Sequence, residues 1–439
     1  MTSQNGNAQV DQKHPFHNHK PVLALVLSIL FAGLGQLYNR RWVKGFVLII
    51  LQTSYLIVFY DFINIGLWGI VTLGEIPRVD HSVLLMLQGI IAIIILLMGL
   101  TVYGINIRDA YLDAQKLKAG QPVPTLREGF RTVYEKGFPY FLVLPGLLML
   151  IFVVIVPLIF MVLLAFTDYN LYNSPPRNLL NWVGLQNFID LLTVPIWQST
   201  LINVLSWTIV WTFVATTLQI ALGMFLAILV NDERVKFKRL IRTVFILPWA
   251  VPAFVTIIIF SAMFNDQFGA INRDILGPLL GVQIPWLSDP FWTRFALIMI
   301  QTWLGFPFIF ALFTGVLQSV SKDWYEAAEV DGASRWQKFK YITFPHLMYA
   351  TAPLLIMQYA GNFNNFNIIY LFNQGGPAIR GQNAGGTDIL ISWVYKLTFD
   401  SNNYNMAAAI SIIMGLFVAG FAFYQFRRTR AFKEEGKIY

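Results

Sequence analysis

Apolar residues run in long uninterrupted blocks along most of this chain, with short polar stretches between them. A helix needs about 20 apolar residues to cross a bilayer. Blocks of that size fall at 43–64, 83–106, 140–166, 201–230, 243–265, 293–315, 347–370 and 405–425. No strand-like alternation of apolar and polar positions competes with them, so the pattern predicts an all-α polytopic membrane protein with about eight transmembrane helices. A ninth run, 21–37, is short and carries Gly33 and Gly35. It is expected as a re-entrant or interfacial segment, with a ninth span as the alternative. It lacks a small-x-small cleavage pattern and is not expected to be removed as a signal peptide.

The polar punctuation sets the expected organisation. Residues 1–20 form a polar tail, whose His14, His17 and His19 are expected to be solvated rather than to hold a metal. Membrane helices and a cytoplasmic loop follow over 21–138. A span with a short external loop occupies 139–200. A core membrane domain runs over 201–425, and a basic tail closes the chain over 426–439.

Composition agrees: 56% of the 439 residues are hydrophobic and 12% charged, against about 25% charged in soluble domains. The net charge of +8 belongs to loops at one membrane face, so it does not imply nucleic acid. No cysteine is present, which excludes disulfides, thiolate metal sites and thiol catalysis. Lys and Arg divide between the two alternating sets of connections as 23 against 5. The positive-inside rule places the richer set, and the C-terminus with it, in the cytoplasm. Between 140 and 425 no Lys, Arg, Asp or Glu lies inside an expected span except Arg294 at a helix end. Charges at membrane depth mark proton relays, ion coupling and voltage sensing. Their absence argues against a secondary carrier, an ion channel and an intramembrane hydrolase built on carboxylates.

Neutral polar residues do enter the membrane. "MQYAGNFNNFNIIY" (357–370) holds Gln358, Asn362 and Asn365 at i, i+4 and i+7, the spacing of one helical face, with Asn364 and Asn367 on another. "QTWLGFPFIF" (301–310) holds Gln301, Leu304, Gly305 and Phe308 at i, i+3, i+4 and i+7. "LPWAVPAF" (247–254) offers Trp249 and Ala253 at i, i+4 between two prolines. Amides donate and accept as hydroxyls do, and aromatic faces suit the apolar faces of sugar rings. These residue types fit an uncharged polyol. The same amides also serve to bind helices to one another, and residue type alone leaves both uses open.

Between the last runs lies "YEAAEVDGASRWQKFKYITFP" (325–345), acidic, alanine-rich and helix-prone. Ser321 is placed to cap a first helix with Asp323 in its first turn. Asp331-Gly332 signals a turn. Ser334 and Gln337 form a capping box for a second helix over 335–344, with Pro345 at its end.

These residues carry a resemblance. Glu326-Ala327-Ala328, Gly332 and Ile342-Thr343-Phe344-Pro345 resemble the cytoplasmic signature of permease subunits of binding-protein-dependent ABC importers, with Phe344 where Leu is usual. "TWLGFPF", "NFNNF", "NQGGPA", "AGGTDIL" and "MAAAISI" resemble, in the same order, the maltose/maltodextrin branch of that family. The likeness covers about 140–439 well and the N-terminal third loosely. It implies an ABC importer permease fold and a hairpin over 321–345 that docks on a cytoplasmic ATPase through Glu326, Ala327, Ala328 and Gly332. It further implies a sugar site at Trp249, Ala253, Gln301, Leu304, Gly305, Phe308, Gln358, Gly361, Asn362 and Asn365. Of these, Leu304, Gly305, Asn362 and Asn365 match the branch in type, and the other six differ. The implied partners are a second homologous permease subunit, two cytoplasmic ATPase subunits and an extracellular or periplasmic sugar-binding protein. The implied cargo is a neutral oligosaccharide, maltodextrin first, with galacto-oligosaccharide or raffinose-type sugars as the alternative. The implied location is the bacterial cytoplasmic membrane. No Gly-x-x-x-x-Gly-Lys-[Ser/Thr] loop is present, so ATP and Mg are expected on the partner ATPases and no cofactor or catalysis on this chain. Some relatives carry a large external domain where this chain has only residues 167–200.

Overall fold

The computed structural model describes residues 19–428. The expected basic C-terminal tail from 429 onward, and His14 and His17, lie outside the described residues. His19 is described, and its Nε2 pairs with Asn39 Oδ1 at 2.8 Å.

All regular elements among the described residues are helical, and the chain divides into two compact units. Of the described residues, the first comprises 19–163 and 172–181. It opens with α1 (Pro21–Leu30), a turn in which Gly33 takes φ +92°, and α2 (Leu34–Tyr38). Ten residues of helix rise about 15 Å, half the hydrocarbon thickness, so α1 is too short to span. Then come α3 (Trp42–Thr72) and α4 (Ser82–Lys118), packed side by side. Helix α4 runs twelve residues past the expected span end at 106. That extension carries Asp109 and Asp113, which pair with Lys44 and Arg41, each at 2.6 Å. Helix α5 (Leu126–Met149) starts from a Thr125/Glu128 capping box and continues through a π turn (Leu150–Ile155) into α6 (Val156–Leu164).

Of the described residues, the second unit comprises 164–171 and 182–428. It holds α7 (Gln186–Thr193), α8 (Pro195–Asn231) and α9 (Lys238–Ile246), the last passing through a 3₁₀ turn (Leu247–Ala250) to α10 (Ala253–Met263). A π turn (Ile271–Leu276) and α11 (Gly277–Leu280) lead to α12 (Pro290–Leu317). The remainder is α13 (Lys322–Val330), α14 (Arg335–Lys338), α15 (Phe344–Phe363), α16 (Phe366–Asn373), α17 (Leu390–Phe399) and α18 (Tyr404–Arg428). Helices α8 and α12 are the spine. Two apolar clusters flank their contact. Trp207, Trp211, Ile300, Phe372 and Ile389 form one, and Met224, Phe306, Phe310, Phe313 and Leu347 the other.

Six helices among the described residues are long and apolar enough to cross a membrane, and a bent pair raises the number to seven. The expected span 243–265 is that bent pair, its halves meeting at 84°. Pro248 and Pro252 supply no N–H where a straight helix needs one. Trp249 and Ala253 therefore sit on either side of a break rather than on one helical face. The expected span 347–370 is also interrupted. Helix α15 ends at Phe363, Asn364 leaves helical geometry, and α16 begins at Phe366. Conversely, Pro345 ends nothing: α14 passes through a π turn (Phe339–Thr343) straight into α15. The π turn before it accommodates the N–H that Pro345 lacks inside a continuous helix.

Candidate functional site: a buried amide ladder and a charged hairpin

Three helices of the second unit bring amides together. Gln301 of α12 donates from Nε2 to Oδ1 of Asn362 on α15 at 2.8 Å. Asn362 donates from Nδ2 to Thr216 Oγ1 of α8 at 2.7 Å and to Gln219 Oε1 at 3.4 Å. Gln358, one turn before Asn362, donates to the same Gln219 oxygen at 3.0 Å. The carbonyl of Asn362 accepts from Trp211 Nε1 at 2.9 Å. Asn362 is 2% exposed, Gln301 7% and Gln219 fully buried. Burying an amide without partners costs several kcal/mol, and this ladder removes most of that penalty. Each such bond between membrane helices contributes about 0.6–2 kcal/mol.

The ladder needs close approach of α12 to α8, and Gly305 permits it. A Cβ at position 305 would lie 2.3 Å from Cδ and Oε1 of Gln219. One turn on, Phe308 stacks on Trp249 with ring centroids 6.0 Å apart. Trp249 is half exposed, and Leu304 and Phe308 are partly so. An aromatic, partly open patch thus lies two turns from the buried Gln301 along α12.

The expected sugar residues are therefore brought together in part. Gln301, Gly305, Gln358 and Asn362 meet around Gln219, and Trp249 meets Phe308. Gly361 and Ala253 are exposed and take no part in the ladder. Asn365 stands beyond the end of α15, so it does not continue the face of Gln358 and Asn362. Its neighbour Asn364 bonds back to the Ala360 carbonyl at 3.4 Å. Gln219 and Thr216 were missed from the sequence. Their only signal is a lone amide and a hydroxyl, three residues apart, in a long apolar run. A groove of about 430 Å³ lies between Leu222, Phe260, Met299 and Trp303. It is apolar and contains none of the expected sugar residues.

The second site is the hairpin of α13 and α14. Ser321 Oγ caps α13 by accepting from the Asp323 N–H. The helix closes with Ala333 N–H on Ala328 O (2.8 Å) and Gly332 N–H on Glu329 O (3.0 Å). This pair of bonds requires a left-handed residue at the turn, and Gly332 supplies it at φ +74°. The Ser334/Gln337 capping box forms as expected. Tyr325 Oη bonds Thr343 Oγ1 at 2.9 Å, and Glu329 pairs with Lys338. The Lys338 ammonium holds the Glu329 carboxyl below the usual glutamate range. The two helices are thus pinned as one body. Glu326 and Ala327 point to the exposed side, joined by Val330, Trp324 and Trp336.

A bundle of long apolar helices, a neutral polar seam within it and a charged hairpin are the features of a polytopic membrane transport component. Residues 219–431 match the family described as "Binding-protein-dependent transport system inner membrane component". The chain is 53% identical over 419 residues to the galactooligosaccharides transport system permease protein GanP of Bacillus subtilis, covering 95% of this chain and 99% of that one. It is 45% identical over 426 residues to the maltodextrin transport system permease protein MalC of Streptococcus pneumoniae, covering 95% and 98%. The chain belongs to this family of inner-membrane transport permeases. Its fold is also that of a solved bacterial ABC transporter involved in the import of the acidic polysaccharide alginate (TM-score 0.57, 20% identity, 69% of this chain and 98% of that chain).

Proposed function

We propose that the chain is the permease subunit of an ATP-driven importer for neutral oligosaccharides, with malto-oligosaccharides as substrate. The observation that carries the reading is the amide ladder beside the Trp249–Phe308 stack, with no formal charge on any member. Such a lining offers donors and acceptors for hydroxyls and a flat apolar face for a ring. It offers nothing to neutralise an anion. Trp249, Leu304 and Phe308 would take the ring faces, and Gln301, Gln358, Asn362 and Asn365 the hydroxyls. Gly305, Gly361 and Ala253 would leave the space.

The chain does no covalent chemistry in this reading. It pairs with a second homologous permease subunit in the bacterial cytoplasmic membrane, with its C-terminus in the cytoplasm. Two ATPase subunits bind ATP and Mg and receive the hairpin at Glu326, Ala327, Ala328 and Gly332. A sugar-binding protein delivers the cargo from outside. Closure of the ATPase pair moves the hairpin as a rigid body, and its continuity with α15 carries the motion to Gln358 and Asn362. That is the physical link between the two sites.

A second reading has its own support: the 53% identity to a galactooligosaccharides permease favours galacto-oligosaccharides. The test is ATP-dependent uptake of labelled maltotetraose into vesicles bearing the whole transporter, with a galacto-oligosaccharide competitor. Uptake that resists the competitor supports the first reading. Uptake abolished by it, together with uptake of the labelled competitor, replaces the first reading with the second.

A further inference from the structure

Gln219 lies in the middle of α8, fully buried, with two neighbours donating into one oxygen. The ladder has a direction. Gln301 gives its N–H to Asn362, and Asn362 and Gln358 give theirs to α8. An amide whose NH₂ is bonded inward presents its carbonyl oxygen the other way. The Oε1 atoms of Gln301 and Gln358 accept no hydrogen bond among the described residues, and neither is sealed from its surroundings. The Nε2 of Gln219, in contrast, is buried without a partner. Position 219 is therefore used as an acceptor only, although Gln supplies a donor too.

We propose that Gln219 is a positioning residue for substrate recognition: it anchors Gln358 and Asn362 so that the carbonyl oxygens of Gln358 and Gln301 accept hydrogen bonds from substrate hydroxyls. The inference rests on the reading of this seam as the sugar site. It assigns a polarity to that site. The protein accepts at these two positions and the ligand donates, which selects hydroxyl-bearing cargo over cargo that only accepts.

Two substitutions separate positioning from bulk. Gln219→Met keeps the length and removes the acceptor. Gln219→Glu keeps an acceptor oxygen and exchanges the unpartnered NH₂ for a carboxyl O–H, the uncharged form being the one a buried, apolar site holds. The measurement is equilibrium dialysis of labelled maltotetraose, and in parallel a labelled galactotetraose, against the purified assembled transporter without its binding protein. Co-purification of the subunits reports assembly. For whichever sugar the wild type binds, Gln219→Met is expected to weaken binding about tenfold, the equivalent of about 1.4 kcal/mol, and Gln219→Glu by less than about threefold. Wild-type binding in Gln219→Met, with Asn362→Ala weakened, overturns the role of Gln219 and leaves the sugar site standing. Wild-type binding in both variants overturns the sugar site itself. Should Gln219→Met fail to assemble, Gln219→Leu, which also lacks the acceptor, is measured in its place, and assembled protein that binds like wild type overturns the proposal.

Discussion

Alanine at Gly305 would test the seam at its tightest point. The added Cβ would lie 2.3 Å from Cδ and Oε1 of Gln219 and 2.8 Å from its Cγ, more than 1 Å inside ordinary carbon contact. Gln219 cannot swing away cheaply, because its oxygen holds Gln358 and Asn362. Breaking those two bonds costs about 0.6 kcal/mol each in a membrane protein, and overpacking a filled interior adds roughly 1–3 kcal/mol. A total near 3 kcal/mol follows. At ~2–4 °C per kcal/mol for a unit of this size, the assembled complex in detergent should melt ~6–12 °C lower. Gly361→Ala is the control, since a Cβ there meets nothing within 4 Å, and its melting point should match wild type. Gly305→Ala combined with Gln219→Ala should recover at least about 1 kcal/mol relative to the sum of the single changes, because the second change removes the obstacle. A Gly305→Ala protein that melts like wild type, or a double variant whose losses simply add, would refute the packing argument.

Three further outcomes are expected. Glu326→Lys reverses a charge on the exposed side of the hairpin, so ATP-dependent uptake should be lost while the chain still inserts; normal uptake at matched expression would count against docking there. Asp388 is buried, and its carboxylate pairs with Lys396 at 2.6 Å and with Ser392 Oγ at 2.8 Å. Lys396→Met strands that carboxylate and should destabilise the second unit by about 3–5 kcal/mol, whereas Lys396→Met with Asp388→Asn should regain most of it; thermal melting distinguishes the two. Replacing both Asn362 and Asn365 by alanine should abolish sugar uptake with the complex intact, and unchanged uptake would leave the ladder as helix-to-helix adhesive alone.

What the sequence disclosed follows from which interactions are local. Ser321, Ser334 with Gln337, and Gly332 act within a few residues of themselves, so the caps and the turn of the hairpin were legible, though not its continuation through Pro345 into α15. Apolar length set most of the spans for the same reason. The breaks were less legible. Pro345 and Pro248 read alike, yet one begins a helix and the other stands beside an 84° bend, because neighbouring helices decide where a missing N–H is tolerated. Asn365 shares the spacing of Gln358 and Asn362 but not their helix, since the chain turns at Asn364. Gln219 and Thr216 stayed hidden because a single amide in a long apolar helix says nothing about which distant helix it faces. The bonds that reveal them join residues 139 and 146 positions apart.

The central claim is that this chain provides the membrane path for a sugar import driven by ATP hydrolysed elsewhere. The most direct measurement is uptake of labelled neutral oligosaccharide by vesicles holding the partner subunits, with and without this chain, under ATP or under a proton gradient alone. The account predicts uptake only when the chain and ATP are both present. Uptake without the chain, or uptake driven by the gradient with no ATP, would contradict it.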